Sequence, residues 1–126
     1  MIVGIGIDIV EVKRIKKLIN GDNGKKFLRR VYTEREIEYC EKFKEPYTHF
    51  AARFAGKEAF VKASSDILES ISYKDVEIIN NSKNAPLLFI KNKNFDNNKY
   101  ICYISLSHTE NYGCAFVIIE KKKGVA

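Results

Sequence analysis

Apolar positions follow two different rhythms along this chain, one in each half. Residues 2–10 carry Ile or Val at most positions, broken by Gly4 and Gly6, and read as a buried strand whose glycines admit close backbone approach or a bulge. From Glu11 to about Asn20, Val12, Ile15, Leu18 and Ile19 keep helical spacing, with Gly21 as the stop. Lys13, Arg14, Lys16 and Lys17 then cover the exposed face of that helix. The run Thr33-Glu34-Arg35-Glu36 has the form of a capping box and predicts a helix through about Phe43. Pro46 suits the first turn of a longer helix that continues through Ala63. Three to four helices therefore fill the first half. In the second half the period shortens: residues 75–80, 86–91, 99–107 and 112–121 are β-branched or aromatic runs separated by turn-formers, which predicts antiparallel strands. Residues 92–99 read as a polar loop and residues 120–123 as a solvated charged tail. The segregation of helices from strands gives an α+β class, with no internal repeat.

The helix through residues 49–63 carries more charge than its small apolar side requires. Ala51, Ala55, Ala59 and Ala63 recur every fourth residue and form a stripe thin enough for another backbone to approach. Arg53, Lys57, Glu58 and Lys62 stand on the neighbouring faces, a pattern able to hold a metal ion and an anion side by side. Glu58 and Lys62 are also spaced i, i+4 in the favourable order, so a plain surface pair accounts for those two residues equally well.

Composition sets limits on this picture. A chain of 126 residues with 45% apolar content is the size of one domain, residues 1–126, and buries a core without disulfides or a structural metal. Cys40, Cys102 and Cys114 are odd in number and contain no C-x-x-C pair, which suggests reduced thiols of a cytoplasmic protein. The apolar start has no basic leader and reaches Asp8 and Glu11 too early for a signal peptide, and no later run approaches membrane-spanning length. A soluble protein with no membrane partner is expected, cytoplasmic unless a transit peptide has been removed from a longer precursor. The formal charge of +6 predicts attraction to something acidic: nucleic acid, an acidic protein or a phosphorylated cofactor.

Several motifs are missing. Gly4-Ile5-Gly6 lacks the third glycine of a dinucleotide fingerprint, which would fall at Ile9. There is no G-x-x-x-x-G-K-[ST] and no H-E-x-x-H, and Ser105 and Ser107 lack the G-x-S-x-G frame. A nucleic-acid clamp would use the positive charge and the seven tyrosines, but it matches no nucleic-acid motif and gives no reason for Asp8 and Glu58 to sit among cations, so no nucleic-acid partner is expected. Three separated pieces remain: Asp8 at a strand end, Glu58 with Lys62 on a helix, and Ser105-Leu106-Ser107-His108-Thr109 closing another strand. Asp8 reads either as a helix N-cap or as a site residue. His108 shares strand parity with Cys102, Ile104 and Leu106, and reads either as a core histidine or as a ligand contact.

Taken in order, the blocks Gly4-Ile5-Gly6-Ile7-Asp8-Ile9-Val10-Glu11, Arg30-Val31-Tyr32-Thr33-Glu34-Arg35-Glu36, Arg53-Phe54-Ala55-Gly56-Lys57-Glu58-Ala59-Phe60-Val61-Lys62-Ala63 and Ser105-Leu106-Ser107-His108-Thr109 resemble the holo-acyl-carrier-protein synthase family, the short trimeric class of 4′-phosphopantetheinyl transferases. The resemblance implies a homotrimer with helices in the first half around an antiparallel sheet and sites between subunits. It implies transfer of 4′-phosphopantetheine from coenzyme A to a serine of apo acyl carrier protein, releasing adenosine 3′,5′-bisphosphate, in support of fatty acid biosynthesis. By the same likeness Asp8 and Glu58 hold Mg²⁺, with Mn²⁺ as the alternative, and Lys62 neutralises the pyrophosphate. Arg53, Lys62, Ser107, His108 and Thr109 bind coenzyme A. Lys13, Arg14 and Lys17 offer a basic face to the acidic carrier protein, and the serine proton passes to Glu58 directly or through a water. Asn84 departs from the family, where a glycine is expected two residues before the proline; Asn tolerates the left-handed conformation, so the turn is expected to survive.

Overall fold

The computed structural model describes residues 1–124. Its elements run β1 (Ile2–Glu11), α1 (Val12–Asn20), α2 (Gly24–Val31), α3 (Glu34–Glu41), α4 (Pro46–Ala63), a 3₁₀ turn (Tyr73–Asp75), β2 (Val76–Asn80), β3 (Pro86–Ile90), β4 (Tyr100–His108) and β5 (Tyr112–Lys121). All strand pairings are antiparallel, as expected, but the strands divide into two sheets, one of order β1-β5-β4 and one pairing β2 with β3. The capping box is real: the Thr33 hydroxyl accepts from the Glu36 amide, and the Glu36 carboxylate accepts from the Thr33 amide at 2.8 Å. Pro46 opens α4 in its first turn.

Helix α4 is the axis of the molecule. Phe50, Ala51, Phe54, Ala55, Ala59, Phe60 and Ala63 are buried along it, and so are Arg53 and Lys57, which the sequence places on charged outer faces. The reason is that α4 is covered on more than one side, by β1 and β5, by α1 and α3, and by β2 and β4. The large sheet reaches it at unusually short range. A Cβ on Gly4 would lie 1.8 Å from the Ala63 carbonyl oxygen, and one on Gly6 would lie 1.9 Å from that of Ala59. Strand β1 therefore lies directly on the backbone of α4, where glycine meets the alanine stripe.

Three expectations need correction. Helix α2 has no counterpart in the sequence reading, because eight residues opening on Gly24 are too short for a periodic signal; Phe27 and Val31 turn inward from it. Strand β1 is buried on one face only, since Ile5, Ile7 and Ile9 are 62%, 60% and 64% exposed on the other. Its alternation was hidden because both faces are apolar. Leu18, counted on the inner face of α1, is exposed. The polar loop of residues 92–99 carries an anchor of its own, Phe95, buried against Phe60.

Gly6→Ala is expected to destabilise the fold by about 2–3 kcal/mol, because the obstacle is backbone and cannot swing aside. A thermal melt should show a fall in Tm on the order of 10 °C. A variant that melts with the wild type would show that β1 can lift from α4 at no cost.

Candidate active site

The close approach of β1 decides where Asp8 goes. Side chains alternate along a strand, so Asp8 shares the inner face with Gly4 and Gly6 and continues their line past the C-terminal half of α4. There the Lys62 ammonium lies 3.1 Å from Asp8 Oδ1 and 2.9 Å from the Ile7 carbonyl oxygen. Glu58 stands one helical turn before Lys62 and is half-buried. Asp8 is no helix cap: it lies inside β1, and α1 is preceded by Glu11 with no side-chain cap. Asp8, distant in sequence, thus joins Glu58 and Lys62 at one end of α4.

Sequence reasoning missed the side chain that joins them. The Tyr73 hydroxyl donates to Glu58 Oε1, and its ring packs on Phe54 at 5.5 Å. This hydrogen bond, with burial and the Glu58 charge, pushes the Tyr73 phenol up to about 12; Asp8 adds to the rise and Arg14 opposes it. Tyr73, Glu58, Asp8 and Arg14 therefore lie within electrostatic reach of one another. Arg14 is exposed, yet its guanidinium stands over the Phe54 ring at 5.7 Å, so α1 borders this site. Lys13 and Lys17 are exposed on the same helix.

What sets Tyr73 in place is Lys57. Its ammonium is fully buried and donates to Glu36 Oε1 at 2.8 Å, to the Tyr73 carbonyl at 3.0 Å and to the Val76 carbonyl at 2.5 Å. All three of its donors are used. Burial pulls the Lys57 ammonium below the ordinary lysine range, and Glu36 opposes that shift. Glu36 also accepts from the Ile78 amide at 2.9 Å, so one ion pair ties α3, α4, the 3₁₀ turn and β2 together.

The remaining expected residues lie elsewhere. Arg53 is buried on α4; it stands over the Tyr39 ring at 4.1 Å and donates to Asn80 Oδ1, while its Nε has no partner among the described residues. Nine positions separate Arg53 from Lys62, which puts them on opposite sides of the helix and roughly 13 Å apart along it. His108 is exposed at the end of β4 and is no core histidine. Its ring meets His49 edge-on at 5.1 Å, and His49 stacks on Phe43. Burial, then His108 and then Arg53 lower the His49 pKa, which places Arg53 electrostatically beside the histidine pair. Thr109 Oγ1 accepts from the Asn111 and Tyr112 amides and caps the β4–β5 turn. Ser107 pairs with Cys114 on the outer face of the sheet, opposite the face that carries Asp8. One chain thus gathers Asp8, Glu58 and Lys62 in one place and Arg53 and His108 in another, and turns Ser107 away from both.

Asn84 behaves as its departure from glycine requires. It adopts φ 63°, and the β2–β3 turn closes through the Asn81 amide on the Ala85 carbonyl at 2.8 Å. Asn80 donates to Asn84 from the same side chain that receives Arg53. Burial raises the Cys40 thiol to about 12 and the Cys102 thiol to about 11, which disfavours the reactive thiolate at both. No group of three or more His, Cys, Asp or Glu side chains that could hold a metal ion occurs among the described residues. Two hard carboxylates are still a suitable donor set for a small divalent cation that keeps waters and takes phosphate oxygens from a substrate.

Solved structures of known proteins share this fold. Residues 4–117 match the family model of the 4′-phosphopantetheinyl transferase superfamily. A holo-(acyl-carrier-protein) synthase of Thermodesulfovibrio yellowstonii is 46% identical over 119 residues, covering 94% of this chain and 99% of that protein. The crystal structure of the Helicobacter pylori holo-(acyl-carrier-protein) synthase in complex with coenzyme A is similar at TM-score 0.80 and 36% identity, over 92% of this chain and 99% of that one. A holo-(acyl-carrier-protein) synthase from Bacillus anthracis in complex with CoA (3′,5′-ADP) has TM-score 0.80 and 34% identity, over 97% and 99% of the two chains.

Lys57→Met should cost about 3–5 kcal/mol, because Glu36 is left as a buried, unpaired carboxylate. The double variant Lys57→Met/Glu36→Leu should recover a large part of that loss in urea denaturation. A single variant within about 1 kcal/mol of wild type would remove the ion pair from its central place.

Proposed function

We propose, from the premise that this chain belongs to the 4′-phosphopantetheinyl transferase superfamily, that Asp8, Glu58 and Lys62 carry its chemistry. The reaction is that of its holo-(acyl-carrier-protein) synthase relatives: 4′-phosphopantetheine passes from coenzyme A to a serine of apo acyl carrier protein. The serine oxygen forms a bond to the phosphorus that bears the pantetheine arm, the bridging P–O bond of the pyrophosphate breaks, and adenosine 3′,5′-bisphosphate leaves. Such a transfer needs positioning and charge neutralisation rather than a covalent protein intermediate. The single observation that carries the assignment is the convergence of Asp8 from β1 with Glu58 and Lys62 from α4.

Each residue has a distinct task in this reading. Asp8 and Glu58 hold the divalent cation, Mg²⁺ or in its place Mn²⁺, which when bound supplies positive charge to the pyrophosphate. Lys62 holds Asp8 in position and adds a mobile positive charge for the same phosphates. Glu58 is the acceptor for the serine proton, directly or through one water. At the other side of α4, Arg53 and His108 serve the adenosine 3′-phosphate, with Thr109 beside them.

The outer face of the large sheet supports the homotrimer with sites between subunits. Ile5, Ile7 and Ile9 on β1, Phe116 on β5, and Ile101 and Tyr103 on β4 form one exposed apolar surface. A monomer with such a patch invites association, and the patch is in-register sheet rather than loop. Ser107 stands at its edge, where a neighbouring copy brings it into a shared site. The three free cysteines fit a reducing cytoplasm, and no helix among the described residues is long and apolar enough to cross a membrane. Lys13, Arg14 and Lys17, exposed along α1 beside the site, face the acidic carrier protein.

Incubation of this chain with coenzyme A, Mg²⁺ and an apo acyl carrier protein should add one phosphopantetheine group to the carrier, read by intact mass. Asp8→Asn and Glu58→Gln should each remove that transfer while leaving the melt unchanged, a loss of about 3 kcal/mol or more of transition-state stabilisation. Near-normal turnover of Asp8→Asn at limiting Mg²⁺ would reassign the metal site. Separately, Lys13→Glu/Lys17→Glu should lower kcat/KM for the carrier, flatten its decline with rising NaCl and leave the KM for coenzyme A unchanged. An unchanged salt slope would move the docking surface off α1.

A further inference from the structure

We propose that Tyr73 is the positioning residue of the metal site, its hydroxyl aiming the Glu58 carboxylate at a divalent cation without cancelling its charge. The inference rests on the reading of Asp8 and Glu58 as the cation's ligands and adds a residue that lies outside every motif block of the sequence. The two carboxylates are held by opposite means. Asp8 is held by a cation, Lys62. Glu58 has no ion pair among the described residues and is held by the neutral Tyr73 hydroxyl on Oε1. The terminal torsion of a glutamate is broad, so its carboxylate plane stays undefined on a helix surface unless a partner fixes it. A lysine there would fix the plane and reduce the negative charge that draws in a cation. A phenol hydroxyl fixes it and leaves the full charge in place, with Oε2 free of protein donors among the described residues.

Tyr73 is itself rigidly placed, which a positioning residue requires. Its carbonyl accepts from the buried Lys57 ammonium at 3.0 Å, and its ring lies on Phe54, itself 6% exposed. The 3₁₀ turn that carries it is closed by the Asp75 amide on the Ser72 carbonyl at 3.0 Å. The orientation of Glu58 is thus inherited from the molecule's interior.

Tyr73→Phe keeps the ring and its packing and removes only the hydroxyl. Mn²⁺ titrated into the full chain at saturating coenzyme A, with free Mn²⁺ read by electron paramagnetic resonance, should bind about 10–100-fold more weakly than to wild type. Activity should follow by a rise in the Mg²⁺ concentration needed for half-maximal rate, with kcat at saturating Mg²⁺ and the KM for coenzyme A changed far less. Tyr73→Leu, apolar and without any side-chain donor, should show the same weakening if Tyr73→Phe folds poorly. Wild-type Mn²⁺ affinity in either folded variant overturns the role of Tyr73 while the metal reading stands. A wild-type chain whose Mn²⁺ binding is indifferent to Glu58→Gln overturns that reading, and the proposal with it.

Discussion

Lys57 and Glu36 form an ion pair with neither side chain exposed, and the geometry of the site depends on it. Such a pair does not earn its place by net stability, because the cost of removing both charges from water offsets their attraction. What it supplies is definition. The three ammonium donors reach Glu36, the Tyr73 carbonyl and the Val76 carbonyl, and Glu36 in turn accepts from the Thr33 and Ile78 amides. Any slippage of α3, α4 or β2 would leave one of these groups buried without a partner, at a cost of about 1–3 kcal/mol each. The side chains that follow in sequence, Glu58 from α4 and Asn80 from β2, inherit this precision.

A second constraint comes from the opposite side of α4 and uses no polar group at all. Glycines at positions 4 and 6 and alanines at 59 and 63 let strand and helix meet backbone to backbone. The register of β1 then has no freedom, since a shift by one residue would drive an isoleucine side chain into a carbonyl. Asp8, next on the same face, is carried to Lys62 by steric exclusion rather than by attraction. The surface ion pair it forms, with Lys62 55% exposed, is too weak to position a strand.

Much of this was readable from the chain because the residues involved are small, terminal or punctuating. The capping box at Thr33, the proline opening α4, the alanine stripe and the glycines of β1 each announce a local geometry, and the motif blocks announce the family. What was not legible is interior polarity. Lys57 reads as one more cation on a charged helix, and nothing in its neighbours tells that it faces inward, because its partners lie 16 to 21 residues away. Tyr73 was invisible for the same reason: a tyrosine in a short turn has no periodicity to betray what its hydroxyl touches. The outer face of β1 reads as buried in the sequence because its exposed isoleucines carry the same chemistry as a buried strand.

Those isoleucines bear on the shape of the substrate. Coenzyme A presents phosphate at two places, the pyrophosphate and the adenosine 3′-phosphate, and α4 presents cations on two sides, Lys62 at one end and Arg53 on the other. A helix lies between them, so one chain does not offer both groups to one extended ligand across a single open surface. In the proposed trimer, a second copy packed on the apolar sheet would supply the phosphate-binding groups that one chain places apart. The exposed apolar face and the separation of Lys62 from Arg53 would then have one cause. On that proposal one chain builds part of the cleft, and the face that lacks polar cover is the face along which the rest would arrive.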